Sequence, residues 1–172
     1  MIDVVFINGT VGAGKTSTGE ALSALVTQAG CPHAFIDTDA VRRLSPKPPG
    51  DRFQHELQLR NLRDLAANYR DAGAERLILA GVIEDRHEIP RYTETLKATG
   101  LFLCRLVADP TVIDQRLSAR HHDDPAELDW HLRRNRELAE ILEAVALDDL
   151  IIDATSDTPC DIAMAIKAAV NW

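Results

Sequence analysis

A glycine-rich segment near the start of the chain, NGTVGAGKTSTGEAL at 8–22, constrains the fold more than any other part of the sequence. It follows the apolar run VVFI at 4–7, which is typical of a buried parallel strand. After it, apolar residues recur at helical spacing until Gly30 and Pro32 end the pattern. The segment is therefore predicted to be the turn between a buried strand and a helix, as in α/β proteins.

The spacing within this turn matches the phosphate-loop pattern G-x-x-x-x-G-K-[ST], with Gly9, Gly14, Lys15 and Thr16 at the fixed positions. Glycines let the backbone bring its N–H groups against phosphate oxygens with no Cβ in the way. The helix that begins near Lys15 adds unpaired N–H groups and the positive end of its dipole. The alternative is a glycine-rich turn that only joins the strand to the helix.

A loop of this kind binds a nucleoside triphosphate, so we predict ATP and Mg²⁺ as cofactors. Lys15 is predicted to contact the β- and γ-phosphates, and the Thr16 hydroxyl is predicted to be a magnesium ligand. The residues predicted to contact the nucleotide in this loop are Gly9, Thr10, Val11, Gly12, Ala13, Gly14, Lys15, Thr16 and Ser17.

Composition and charge narrow the class of protein. The 172 residues suit a single domain, 1–172, and the sequence has no apolar run long enough for a membrane span. A formal net charge of −8 disfavours nucleic acid as a partner. The three cysteines lie far apart and the chain starts without a basic signal segment, so we expect a cytoplasmic protein. The expected oligomeric state is a monomer or a homodimer.

Five strand-like runs alternate with helical patterns along the chain. Such alternation predicts a three-layer α/β fold, in which a parallel sheet has helices on both faces. Right-handed crossovers and the glycine-rich turn after the first strand favour the strand order 2-3-1-4-5. The predicted strands are 2–8, 33–37, 76–81, 101–107 and 149–153.

Helical patterns predict three further elements. Phe53, Leu57, Leu65 and Tyr69 are predicted to share one face of a helix that ends at Gly73. Two Asp-Pro pairs indicate an N-cap followed by proline at the first helical position, which predicts helices at 110–120 and 125–146. The Pro-rich stretch 45–51 is predicted to be an exposed loop.

Two acidic residues, Asp37 and Asp39, follow the second predicted strand in the segment FIDTDAVR. Ligands of open α/β sheets bind beyond the carboxyl ends of the strands, where the phosphate loop is also expected. The two carboxylates are therefore expected to lie near the outer phosphate or the group that accepts it. The alternative is that Asp39 only caps the following helix and Asp37 only ends the strand.

The phosphate loop and FIDTDAVR together resemble the small P-loop kinases that include shikimate, adenylylsulfate and gluconate kinases and chloramphenicol phosphotransferase. The segment is similar to the Asp-Thr-Asp of shikimate kinases and to the Asp-Gly-Asp-Asn-x-x-Arg of adenylylsulfate kinases. The resemblance implies that Asp37 supports the metal, that Asp39 contacts or deprotonates the acceptor hydroxyl, and that Arg42 binds an anionic group of the acceptor. It also implies an acceptor-binding region at about 37–70.

Arg116 and Arg120 lie four residues apart, hence on one helix face, just before the polar joint RHHDD. The resemblance implies a lid at about 117–127 whose arginines reach the transferring phosphate, and a loop near Thr155 that covers the nucleotide base. For Arg133, Arg134 and Arg136 a solvated, ion-paired helix face is at least as good an interpretation. His121 and His122 do not complete a metal site with any pattern visible in the sequence.

The segment LILAGVIEDRHE differs from the corresponding segment of the kinases that the chain resembles. It lacks the triple glycine of shikimate kinases and the Ser-Pro segment of adenylylsulfate kinases, so neither substrate is implied. Arg86 follows the third predicted strand and is expected to face the acceptor, although a polar surface loop explains this segment nearly as well.

The sequence thus predicts transfer of the γ-phosphoryl group of ATP to a hydroxyl of a small molecule. Two alternatives remain: a nucleotide hydrolase or switch, and a nucleotide-binding module without chemistry. The base-reading N-K-x-D segment of GTPases is absent from the sequence.

Overall fold

A computed structural model describes residues 1–51 and 53–172. Its sheet contains five parallel strands in the order β2-β3-β1-β4-β5. Their bounds are Val4–Gly9 for β1, His33–Asp37 for β2, Arg76–Ala80 for β3, Leu101–Val107 for β4 and Leu150–Asp153 for β5. The predicted fold class and strand order are both confirmed.

Six α-helices connect and flank these strands in the described part of the chain. Their bounds are Lys15–Gln28 for α1, His55–Asp71 for α2, Glu88–Leu96 for α3, Pro110–Arg120 for α4, Pro125–Val145 for α5 and Pro159–Val170 for α6. A short 3₁₀ helix at Ala40–Arg42 follows β2. The sequence pattern does not indicate α3. Pro90 lies in the first turn of this helix, where proline is tolerated.

The central strand β1 supplies both halves of the core. Val5 and Ile7 pack with buried residues of α1, α4 and α6, whereas Val4 and Phe6 pack with buried residues of α2 and α3. Successive side chains of a strand point to opposite faces of the sheet, so a strand buried on both faces reads as a continuous apolar run. This arrangement gives the predicted three layers.

Helix α2 ends just before Gly73, close to the predicted position. Gln58, Leu59, Leu62 and Ala66 are buried, whereas Tyr69 is 39% exposed. Phe53, also 39% exposed, precedes the helix. Phe53 therefore falls outside the predicted helix, whereas Leu65 packs against the core as a partly buried residue. On the buried face, the Gln58 side-chain amide donates a hydrogen bond to the buried Tyr92 hydroxyl.

The two Asp-Pro pairs cap α4 and α5 as predicted. The Asp109 carboxylate accepts a hydrogen bond from the Thr111 N–H, and the Asp124 carboxylate accepts one from the Glu127 N–H. Helix α5 ends at Val145, one residue earlier than predicted. None of the helices in the described part of the chain is both long enough and apolar enough to cross a bilayer.

Gly19 lets α1 pack closely against β2. A Cβ added there would lie 2.3 Å from a ring carbon of Phe35. Although alanine favours a helix over glycine, we expect Gly19→Ala to lower the free energy of unfolding by about 1–3 kcal/mol through overpacking. Denaturant titration measures this, with the exposed neighbour variant Glu20→Ala as the control. Equal or greater stability of Gly19→Ala would contradict the packing argument.

Candidate active site

The glycine-rich loop lies between the carboxyl end of β1 and the first turn of α1. Gly9 adopts φ 142°, and a Cβ added there would lie 2.7 Å from the carbonyl oxygen of Leu106. Gly14, at φ 97°, precedes the first residue of α1. Both positions lie in backbone conformations that other residues rarely adopt, so the loop shape depends on glycine.

Lys15 folds back over this loop. Its Nζ donates hydrogen bonds to the carbonyl oxygens of Gly9, at 3.0 Å, and Thr10, at 2.8 Å. Burial lowers the pKa of Lys15 to about 8, while the negative charges of Asp39 and Asp37 act in the opposite direction. The ammonium group is therefore held against the backbone of the loop.

Asp37 connects the segment that follows β2 to the glycine-rich loop. Its Oδ2 accepts a hydrogen bond from the Thr16 hydroxyl at 2.9 Å, and its Oδ1 accepts one from the Asp39 N–H at 2.9 Å. A hydroxyl and a carboxylate side by side are hard oxygen donors, the type that Mg²⁺ prefers. Thr16 and Asp37 therefore fit the predicted metal site in both chemistry and proximity.

Asp39 does not cap the 3₁₀ helix that follows it, because its side chain makes no capping hydrogen bond there. Its carboxylate instead forms an ion pair with Arg42. Arg42 also donates a hydrogen bond to the carbonyl oxygen of Phe53 at 3.1 Å. The capping interpretation of Asp39 is wrong, and the carboxylate faces a cavity.

That cavity has a volume of about 340 Å³ and lies beyond the carboxyl ends of β1, β2 and β3. One end is formed by the loop and by Asp37 and Asp39. Part of the remaining lining, which we call the distal wall, consists of Arg42, Phe53, His55, Glu84, Asp85, Glu88, Trp130 and Arg134. These residues come from four separate parts of the chain, so no single sequence pattern could have grouped them.

Asn8, the residue before Gly9, fixes the loop to the distal wall. It is fully buried, and its side-chain amide donates to the Ile83 carbonyl oxygen at 3.1 Å. Its Oδ1 accepts from the N–H groups of Gly9, at 2.9 Å, and Ile83, at 3.2 Å. Ile83 directly precedes Glu84, so one side chain sets the distance between the loop and that wall.

The two arginines predicted to reach the transferring phosphate differ in position. Arg120 lines the cavity, whereas Arg116 is outside its lining. The Arg116 guanidinium donates hydrogen bonds to the carbonyl oxygens of Gly12, at 3.4 Å, and Ala154, at 2.9 Å. Arg116 therefore connects the loop with the segment after β5, where the Thr155 hydroxyl accepts a hydrogen bond from the Asp109 N–H.

Arg86 does not line the cavity, contrary to its predicted role in substrate binding. Its guanidinium donates hydrogen bonds to the carbonyl oxygens of Val145, at 3.1 Å, and Ala146, at 3.3 Å. The last carbonyl groups of a helix lack partners within the helix, so the end of α5 attracts this cation.

The segment predicted as a lid, 117–127, contains the end of α4, a short turn and the start of α5. Around this turn His121 and His131 approach Glu127, with nitrogen-to-oxygen distances of 3.7 and 3.6 Å. Sequence analysis misses this carboxylate because the contact needs the turn between the two helices. The imidazole rings are stacked with 25° between their planes. The candidate ligand atoms of these three residues lie within 4.8 Å of one another, a spacing that would also suit a metal ion. The stacked rings account for the contact as packing between α4 and α5.

The fold and the loop together define the structural class: the chain has the fold of the small P-loop kinases. It is similar to the tunicamycin resistance protein of Deinococcus radiodurans, with 22% identity, a TM-score of 0.68 and coverage of 100% of this chain and 97% of that one. For shikimate kinase from Bacteroides thetaiotaomicron the identity is 18%, the TM-score 0.68 and both chains are fully covered. For a gluconokinase from Sinorhizobium meliloti 1021 the identity is 20%, the TM-score 0.63 and the coverage 97% and 92%. No protein-family model and no curated protein sequence matches the chain.

Proposed function

We propose that the protein transfers the γ-phosphoryl group of ATP, with Mg²⁺, to a hydroxyl group of a small molecule. The main support is that one cavity is lined by Lys15 and Thr16 of the loop and by the carboxylates of Asp37 and Asp39. Its volume of about 340 Å³ is within the range of small-molecule sites, and it continues past Asp39 to the distal wall. A hydrolase needs space only for water, so this extension favours a second substrate.

Each end of the cavity has its own part in this reaction. The loop N–H groups and Lys15 bind the β- and γ-phosphates, and Arg120 stabilises the charge that develops on the transferring group. Thr16 and Asp37 would hold Mg²⁺, which neutralises phosphate charge when bound. Arg116 and Thr155 position the loop and the segment proposed to lie near the nucleotide base.

Asp39 acts on the acceptor, and its ion pair with Arg42 orients the carboxylate. The acceptor oxygen forms a bond to the γ-phosphorus while the bond from that phosphorus to the β–γ bridging oxygen breaks. ADP leaves, and the hydroxyl proton passes to Asp39 and then to solvent.

The proposal is tested by following ATP with and without a pool of small metabolites and detecting products by mass spectrometry. A kinase consumes ATP only when the pool is present and yields a phosphorylated metabolite. A hydrolase would consume ATP equally without the pool, and a binding module would bind it unchanged. Lys15→Ala, prepared in parallel, controls for contaminating kinases.

A further inference from the structure

The distal wall carries more negative than positive charge among its described residues. Three carboxylates lie on this wall, those of Glu84, Asp85 and Glu88, and a fourth, that of Asp39, lines the loop end of the same cavity. The guanidinium groups on this wall are those of Arg42 and Arg134. A site for an anionic substrate is expected to leave guanidinium groups available to the anion, so the partners of these two arginines decide what the wall can bind.

Arg134 is held by carboxylates on two sides. Its guanidinium forms ion pairs with Glu84, which lines the cavity, and with Glu137 at 2.9 Å, which does not. It also lies 5.0 Å from the centre of the Phe53 ring. Only 11% of the side chain is exposed. The charge of Arg134 is therefore neutralised before any acceptor enters.

Arg42 is engaged in the same way, through its ion pair with Asp39 and its hydrogen bond to the Phe53 carbonyl oxygen. Glu88 remains ionised: burial acts to raise its pKa, but hydrogen bonds from His55 and Arg91 outweigh this and hold the pKa below its ordinary value. Asp85 is exposed, and its carboxylate accepts a hydrogen bond from the His87 N–H. An incoming anion would thus meet arginines that carboxylates already hold, together with the exposed carboxylate of Asp85.

We infer that the acceptor is a polyol without any anionic group, either uncharged or bearing an amine. This inference rests on the proposed kinase function and replaces the sequence expectation that Arg42 binds an anionic group. Carboxylates accept hydrogen bonds from hydroxyl and ammonium groups, and the Trp130 side chain offers an apolar surface to the C–H face of a sugar ring.

The first test compares acceptors in which an anionic group takes the place of one primary hydroxyl: sorbitol with gluconate, glucose with glucuronate, and uridine with uridine monophosphate. The deoxy compounds 6-deoxyglucose and 5′-deoxyuridine, which lack that hydroxyl and carry no charge, control for its loss. Glucosamine adds an amine-bearing acceptor. We expect phosphoryl transfer to one or more of the non-anionic compounds, with kcat/KM at least tenfold above that of the anionic partner. Preferential phosphorylation of the anionic members would overturn the inference while leaving the kinase function intact.

The second test needs no turnover and uses Glu84→Gln, which removes the cavity-side partner of Arg134. We expect this variant, loaded with ADP and Mg²⁺, to bind gluconate about tenfold more tightly than the wild type, because a guanidinium charge becomes available. Glu137→Gln is the matched control, since it removes the partner outside the cavity. Calorimetry gives the dissociation constants.

Asp85→Asn provides a second variant with one carboxylate fewer on the wall, and it should also bind gluconate more tightly than the wild type. Equal gluconate affinity in the wild type and in folded Glu84→Gln and Asp85→Asn would contradict the inference. Tighter gluconate binding by these variants, without phosphoryl transfer to any compound, would support the charge assignment of the wall and refute the kinase function. The two proposals can therefore fail separately.

Discussion

Replacing Lys15 with alanine should abolish most of the phosphoryl transfer and leave the fold intact. Among the residues that the structure describes, the carbonyl groups of Gly9 and Thr10 are the hydrogen-bond partners of the Lys15 ammonium, so we expect this group to contribute charge more than packing. Loss of one such contact to a transition state often costs on the order of 3 kcal/mol, which is more than a hundredfold in kcat/KM. Steady-state kinetics on a purified acceptor, or single-turnover loss of ATP, measures the effect.

Lys47→Ala is the matched control for this experiment. Lys47 is an exposed lysine of the Pro-rich loop and is outside the cavity lining. Its removal changes the net charge equally, so we expect wild-type kinetics. Circular dichroism checks that both variants are folded. Normal turnover by folded Lys15→Ala would refute the assignment of the glycine-rich loop to phosphate binding.

Asp39→Asn should slow transfer by roughly a hundredfold or more while ATP affinity stays near the wild-type value. Asparagine retains an oxygen that can accept a hydrogen bond from Arg42, but it cannot take the acceptor proton. The expected signature is therefore a fall in kcat with little change in ATP binding or melting temperature. Near-wild-type transfer would eliminate Asp39 as the group that acts on the acceptor, even if the kinase function were correct.

Asp37→Asn is the natural comparison, because the two carboxylates are linked by the hydrogen bond from the Asp39 N–H. Asp37 contacts the Thr16 hydroxyl, so we expect its loss to raise the Mg²⁺ concentration needed for half-maximal turnover. If both variants lost a little stability and neither changed metal dependence or transfer, the two residues would be structural only. Magnesium titrations and melting curves on the pair distinguish these outcomes.

The strands could be predicted because burial on both faces leaves an unbroken apolar signal. The predicted ranges 33–37 and 101–107 coincide with β2 and β4, and the ends of α4 follow from its Asp-Pro start and polar exit. The face of α2 could not be predicted, since it depends on a hydrogen bond between Gln58 and Tyr92, thirty-four positions apart. Local sequence patterns predict burial and helix capping, but they do not predict which polar side chain forms a hydrogen bond with a residue far along the chain.

The glycine-rich end of the candidate site could be predicted from the sequence because its residues lie in one continuous segment. The distal wall was not. Arg134 looked like one of several surface arginines of α5, and only the fold shows that it is 11% exposed and paired with Glu84. Arg86, in contrast, follows the third strand and was expected to face the acceptor, but its guanidinium donates hydrogen bonds to the carbonyl groups at the end of α5.

The side chain of Asn8 limits how the proposed acceptor site could be redesigned. Because the same oxygen receives hydrogen bonds from Gly9 and Ile83, movement of the backbone at Ile83 would be transmitted to the phosphate loop. Insertions or deletions at Ile83 should therefore impair nucleotide binding together with acceptor choice. Side chains at Glu84 and Asp85 carry no such constraint from Asn8, so a library for new acceptors would keep the backbone length fixed and vary these two positions.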